Sequence, residues 1–199
     1  MVKFFSSLNN TLYAGLGVLL ALIILSGLIT GHWIGISAMP WWTFLMRVLH
    51  IMSGVMWIGI LWYFNFVQTP TMPTIQPVEA RVAITGFILP NALWWFRYGA
   101  LSTVVTGLLL AWMNGYIWNA LLLKTGFHGI GIGMWLALIM AFNVWFIIWP
   151  NQKKVIGVTP ANADEKAAAG RVAGMTSRIN TMLSIPMLYC MASQSFGGF

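Results

Sequence analysis

The hydrophobic pattern of the chain consists of five long apolar runs separated by shorter polar segments. Each run comes close to the roughly 20 residues that an α-helix needs to cross the hydrocarbon core of a bilayer. Because the runs are continuous rather than alternating, they favour helices over the strands of a barrel. We therefore expect an all-α integral membrane protein, with a single membrane domain over residues 1–199 and a bundle of about five transmembrane helices. The predicted spans are about 12–30, 44–66, 93–115, 130–149 and 179–196.

Prolines between the apolar runs predict where helices end. Residues 68–77 contain three prolines, which we expect to exclude a helix there. Residues 78–89 have the pattern of a short amphipathic surface helix, and Pro90 is expected to end it. Pro150 is expected to stop the fourth span, and Pro186 to kink the fifth.

The longest polar stretch is residues 151–178. Asn162 is followed three residues later by Glu165, a capping-box pattern that predicts a helix start. The stretch also contains five basic residues, namely Lys153, Lys154, Lys166, Arg171 and Arg178. Because cytoplasmic loops are enriched in Lys and Arg, we expect this loop to be cytoplasmic. The N-terminus would then be cytoplasmic and the C-terminus periplasmic, in a bacterial inner membrane.

Composition supports the membrane assignment. The chain is 59% hydrophobic and 7% charged, whereas soluble domains carry about 25% charged residues. The lipid bilayer must therefore be its solvent. The net charge of +7 comes from basic residues scattered between apolar runs, as topology determinants are. We expect no nucleic-acid partner.

The three histidines are the main candidates for chemistry. His32 ends the first span, His50 lies early in the second and His128 begins the fourth, so the expected topology places all three at the outer side. Imidazole ligates haem iron, copper and zinc, which makes these residues candidate metal ligands. The single cysteine, Cys190, excludes an intrachain disulfide and the Cys-x-x-Cys-His motif of c-type haem.

His50 has neighbours that suit a haem. Arg47 lies three residues before it on the same helical face and can pair with a haem propionate. Gly54, one turn after it, leaves room for a flat ligand, as do the glycines that follow His128. The pattern predicts b-type haem held by His50 and His128 between the second and fourth spans. Alternatively, such glycines mark helix–helix contacts, and Arg47 is an interfacial charge.

Acidic and amide side chains narrow the function classes. The three carboxylates lie outside the predicted spans, which argues against a proton pump or a cation transporter. A small-solute transporter is the third choice for the same reason. Four asparagines in or near the spans are expected to tie helices together or to satisfy backbone groups near prolines; they are Asn65, Asn91, Asn143 and Asn180.

Three stretches carry a resemblance to a known family. They are residues 47–66, 143–157 and 177–187, and residues 95–107 match more loosely. They resemble the membrane-embedded N-terminal domain of bacterial urate oxidases (urate hydroxylases) of the PuuD family. The Trp-Pro-Asn-Gln sequence at 149–152 is the most specific part. The His-x3-Gly-x2-Trp pattern at 50–57 is similar also to other small membrane haem proteins, such as the HemJ-type protoporphyrinogen oxidases.

The resemblance implies a helical membrane domain in a redox pathway that delivers electrons to cytochrome c. Longer members of the family carry a C-terminal cytochrome c domain, and this sequence has no c-type haem motif, so a separate c-type cytochrome is the expected partner. The leading hypothesis is a b-type haem redox subunit, a possible oxidoreductase component. The alternative is a structural accessory subunit, without a cofactor, of a larger respiratory, photosynthetic or monooxygenase complex.

Overall fold

A computed structural model describes residues 2–33, 35–36 and 38–196, and most of these residues are helical, with no strand among them. We number the helices of this part α1 (Val2–Phe5), α2 (Leu8–Thr30), α3 (Met39–Thr74), α4 (Val78–Met113), α5 (Ile117–Leu121), α6 (His128–Val155) and α7 (Ala163–Phe196). Among the described residues, four helices are long and apolar enough to cross a membrane, namely α2, α3, α4 and α6. The fifth predicted span lies in the second half of α7, and its crossing stays a prediction.

The chain forms two compact units, Met1–Trp42 and Thr43–Phe199. In the first unit, Gly31 ends α2 with φ at 70°, a left-handed conformation that glycine adopts without strain. Gly27 is buried because the ring of Trp33 lies against it: a Cβ there would come within 2.8 Å of the indole Cε3. The second unit contains α4 to α7 and almost all of α3.

Three predicted helix ends at prolines are wrong, because the helices continue through them. α3 extends past Pro70 and Pro73 to Thr74, α4 passes through Pro90, and α6 passes through Pro150 to Val155. The segment 78–89 is consequently the first part of a 36-residue helix and not a separate surface helix.

A π turn precedes three of these prolines and explains why the helix survives. The π turns are Tyr63–Gln68, Ile84–Ile88 and Asn143–Ile148. In each case the residue directly before the proline donates its N–H to the carbonyl five residues back. Proline lacks an amide hydrogen and its ring collides with the carbonyl four residues earlier in an α-helix. The wider i→i+5 pairing shifts the local register and accommodates the ring.

The capping-box prediction in the polar stretch is confirmed. The Asn162 amide nitrogen donates to Glu165 Oε2 at 2.8 Å, and the Glu165 amide donates to Asn162 Oδ1 at 2.9 Å. The helix that starts here continues without a break as α7 to Phe196, with Pro186 inside it. The polar helix and the fifth apolar run are therefore one element.

A stripe of small residues on α4 sets its distance from α3. Gly99, Thr103 and Gly107 are four residues apart and so share one face. A Cβ on Gly99 would lie 3.3 Å from the backbone nitrogen of Trp57, and the methyl group of Thr103 lies 3.9 Å from the corresponding position on Gly54. The third contact of the stripe, at Gly107, is with the ring of His50. Small residues allow this close antiparallel packing of two membrane helices.

Buried amides join α7 to its neighbours, as the sequence predicted. Asn180, which is 0% exposed, donates to the Met140 carbonyl at 3.0 Å and accepts from Asn143 Nδ2 at 2.8 Å. Asn65 Nδ2 donates to Ser177 Oγ at 2.8 Å. Asn91 takes the other predicted role, because its side chain donates to a backbone carbonyl one turn earlier in α4.

We expect Asn180→Ala to destabilise the helical unit by about 1–3 kcal/mol, because it leaves the amide of Asn143 and the carbonyl of Met140 without their partner in the interior. Thermal unfolding in mild detergent measures the effect. Asn91→Ala is the matched control, since Asn91 is exposed and bonds only within its own helix. Equal stability of the two variants would contradict the role assigned to Asn180.

Arg97 is a buried cation on α4, only 9% exposed. Its guanidinium carbon lies 3.3 Å from the ring centroid of Trp149 on α6, and Trp145 is also within 5.9 Å. Its Nε and Nη1 atoms have no hydrogen-bond partner in the described part of the chain. Stacking on the indole therefore supplies the main compensation for the buried charge.

Candidate functional site

A cavity of about 630 Å³ opens in the second unit. It lies where α3 and α6 begin and α4 and α7 end, so all four helices contribute to its wall. Its volume is within the roughly 300–1,000 Å³ of ordinary ligand pockets. Most of the wall is apolar, and the polar side chains that line it are Arg47, His50, Thr103, Asn114, Tyr116 and Gln194.

His50 is held in this wall by two hydrogen bonds from one ring nitrogen. Nδ1 lies 3.0 Å from the carbonyl oxygen of Thr103 and 3.3 Å from the hydroxyl of Thr106. A carbonyl can only accept, and the Thr106 hydroxyl already points its hydrogen at backbone carbonyls one turn back. Nδ1 therefore carries the proton, and the lone pair of the neutral ring is on Nε2.

Nε2 of His50 makes no hydrogen bond to any of the described residues. Histidines that bind metals commonly have this arrangement, in which one ring nitrogen donates to a carbonyl and the other binds the metal. The bond to Thr103 fixes both the tautomer and the ring orientation. His50 is thus a preoriented nitrogen donor in the wall of the cavity.

The glycine that makes room for the His50 ring is Gly107 on α4. A Cβ on Gly107 would lie 2.7 Å from His50 Cε1 and 3.1 Å from Nδ1. Gly54 faces the methyl group of Thr103 at an ordinary van der Waals distance and does not line the cavity. The structure therefore assigns Gly54 to the contact between α3 and α4.

Arg47 and Tyr116 provide the polar end of the cavity. Arg47 is exposed, and lies one turn before His50 on α3. Burial raises the pKa of the Tyr116 phenol above its ordinary value, and the nearby positive charge of Arg47 partly opposes this. The phenol is consequently protonated at neutral pH and can donate a hydrogen bond beside the guanidinium.

His128 is not brought to this cavity, and His32 lies in the other unit. His128 is exposed at the first residue of α6 and is absent from the wall. His32 belongs to the first unit, where its Nδ1 donates to the Thr30 carbonyl at 2.9 Å. In the described part of the chain, no three His, Cys, Asp or Glu side chains come together as a metal cluster.

The glycines after His128 serve helix contacts. Gly131 abuts the carbonyl of Ala120 on α5, which leaves no room for a Cβ. A Cβ on Gly133 would lie 3.1 Å from that of Cys190 on α7. Of the two interpretations that the sequence left open for these glycines, the geometry supports close packing of helices.

Several cavity residues were not identified from the sequence. Gly107, Thr103 and Thr106 hold the ring of His50, while Asn114 and Gln194 line the wall from the ends of α4 and α7. The four-residue spacing from Gly99 to Gly107 was a usable signal, because it marks a face for close helix packing. Nothing in the sequence pairs that face with His50.

Comparison with known proteins gives one partial match. No curated protein and no solved structure matches the chain. The family described as urate oxidase N-terminal matches residues 123–199, which contain α6 and α7. That region includes the Trp-Pro-Asn-Gln stretch and two of the four helices that form the cavity wall, whereas His50 and Arg47 lie outside it. The resemblance predicted from the sequence is confirmed at this level: over residues 123–199 the chain matches the urate oxidase N-terminal family.

Proposed function

We propose that the chain is a membrane redox subunit of the urate oxidase N-terminal type that binds b-type haem in the cavity beside His50. The observation that carries the proposal is the state of the His50 ring. Its Nδ1 proton is committed to Thr103, and its Nε2 lone pair is left without a protein partner among the described residues. Bound there, the haem supplies reversible one-electron transfer.

The cavity residues suit this group. His50 would hold the haem iron through Nε2, and the apolar side chains of α4, α6 and α7 would give a flat macrocycle a dry environment. Arg47 and the Tyr116 phenol offer two donors for the propionates at the polar end. The described wall contains no second imidazole, and the thioethers of Met134 and Met191 would be the further candidate ligands.

The direction of electron flow follows from the proposed topology. With the N-terminus cytoplasmic, the cavity lies at the periplasmic ends of the helices. A soluble c-type cytochrome at the periplasmic surface would then accept the electrons. The family name points to urate as the compound oxidised, and assignment to the PuuD-type enzymes forms part of the same proposal.

The decisive experiment is a reduced-minus-oxidised visible absorption spectrum of the full chain purified in mild detergent. We expect a sharp b-type α-band, with haem close to stoichiometric with protein. A purified, folded protein without this band would overturn the haem proposal.

A second candidate function is that of a structural accessory subunit in a larger membrane complex. The exposed apolar side chains of α2 favour it. This helix is 23 residues long and apolar from Leu12 to Leu25, and Gly27 is the one residue of the helix that is buried. Its exposed apolar side chains can pack on other membrane subunits. Migration as an isolated small band on a native gel in mild detergent would count against this alternative.

A further inference from the structure

A second cavity lies at the opposite end of the same helices. It is formed where α4 begins, α6 ends and α7 begins, and its volume is also about 630 Å³. We call it the α4–α6–α7 cleft. Its lining residues are Val78, Arg81, Val82, Thr85, Gly86, Val155, Ile156, Gly157 and Lys166.

The cleft contains two cations and no carboxylate. Arg81 is half-buried, and its Nε lies out of contact with solvent with no hydrogen-bond partner in the described part of the chain. Glu79 is two positions from Arg81 and so lies on a different side of α4. Glu165, next to Lys166, is bonded to the backbone of Asn162. The cleft is therefore electropositive, and a hydrogen-bond acceptor in it would stabilise the buried Nε–H of Arg81.

Apart from Thr85, whose hydroxyl donates to the Arg81 carbonyl within α4, the remainder of the lining is apolar. Val78 and Val82 on α4 face Val155 and Ile156 at the end of α6. A free phosphate would use only the basic part of the cleft and leave these side chains uncovered. A molecule that joins a phosphate group to a hydrocarbon chain matches both parts.

We propose that the α4–α6–α7 cleft binds an anionic phospholipid, with the lipid phosphate at Arg81 and Lys166 and an acyl chain along the valines and Ile156. Charge-assisted hydrogen bonds from guanidinium and ammonium groups hold the phosphate. This site is separate from the haem cavity and does not depend on it.

Native mass spectrometry of the full chain in mild detergent tests the proposal. The probes are phosphatidylglycerol and phosphatidylcholine with identical acyl chains, added in equal amounts. We expect wild-type protein to retain phosphatidylglycerol preferentially. Arg81→Gln and Lys166→Gln should each lower this retention about fivefold, the effect of one basic residue near an anionic headgroup.

Arg171→Gln is the matched control, since Arg171 is an exposed cation on α7 outside the cleft. It should leave the retention unchanged. Equal retention of the two lipids by wild-type protein, or equal losses in Arg171→Gln and Arg81→Gln, would overturn the proposal. Loss of the preference for phosphatidylglycerol in millimolar inorganic phosphate, at constant ionic strength, would also overturn it, by showing that the cleft recognises a phosphate group without the acyl chain.

Discussion

We expect His50→Ala to abolish the b-type haem spectrum. The substitution removes the one imidazole that the described residues place in the cavity wall, and the remaining polar groups are weaker ligands for iron. Haem content by pyridine haemochrome assay, normalised to protein, measures the loss directly. The variant should remain folded, because His50 contributes hydrogen bonds to α4 but no part of the buried amide network.

Two further variants separate ligation from packing. His128→Ala should retain the full spectrum, because His128 is exposed and outside the cavity. His50→Gly leaves an opening beside Gly107 that exogenous imidazole can enter, and added imidazole should restore the α-band. Retention of haem by His50→Ala together with its loss in His128→Ala would place the ligand at α6 and refute the assignment.

We expect Gly107→Ala to lower haem affinity by roughly tenfold or more while leaving every ligand in place. The added methyl group would lie 2.7 Å from His50 Cε1, so the ring must turn away from its bond to Thr103. Overpacking of this kind costs about 1–3 kcal/mol, and 1.4 kcal/mol corresponds to a tenfold change in affinity. Titration of the apoprotein with haemin, followed by absorbance, measures the change.

Gly54→Ala is the control for this prediction. Its added methyl group would meet the Thr103 side chain at 3.9 Å, an ordinary contact that requires no movement of the ring. Both changes add one methyl group to the α3–α4 interface, so a general loss of stability would affect both variants. Equal haem affinity in Gly107→Ala and Gly54→Ala would show that the position of the His50 ring does not control binding.

The sequence predicted the helical class well but placed several helix ends incorrectly. Apolar runs report burial in lipid, and they located α2, α3, α4 and α6. Prolines were taken as helix ends because a proline removes one hydrogen bond from an α-helix. The π turns before Pro70, Pro90 and Pro150 let the helix continue although each proline removes a hydrogen bond. Local sequence does not reveal this change from i→i+4 to i→i+5 hydrogen bonding.

The candidate site was predicted only in part, for a related reason. Residue chemistry singled out His50 and Arg47, and the structure places both at one cavity. The partner helix could not be predicted, because pairing α3 with α4 depends on tertiary contacts between residues more than fifty positions apart. His128 was paired with His50 on expected depth and on the glycines that follow it, and neither determines which way a side chain faces.

The π turn in α4 also sets the rotation, about the helix axis, between the side chains at the two ends of this helix. An i→i+5 turn contains one residue more than the corresponding α-helical turn, and each residue advances the helix by about 100°. Arg81 of the α4–α6–α7 cleft precedes the turn, and Gly107, beside His50 in the first cavity, follows it. The single extra residue in Ile84–Ile88 therefore sets the rotational phase between two cavities that share no side chain. Loss of one residue from this turn would rotate the α4 side chains of one cavity away from the helices that complete its wall.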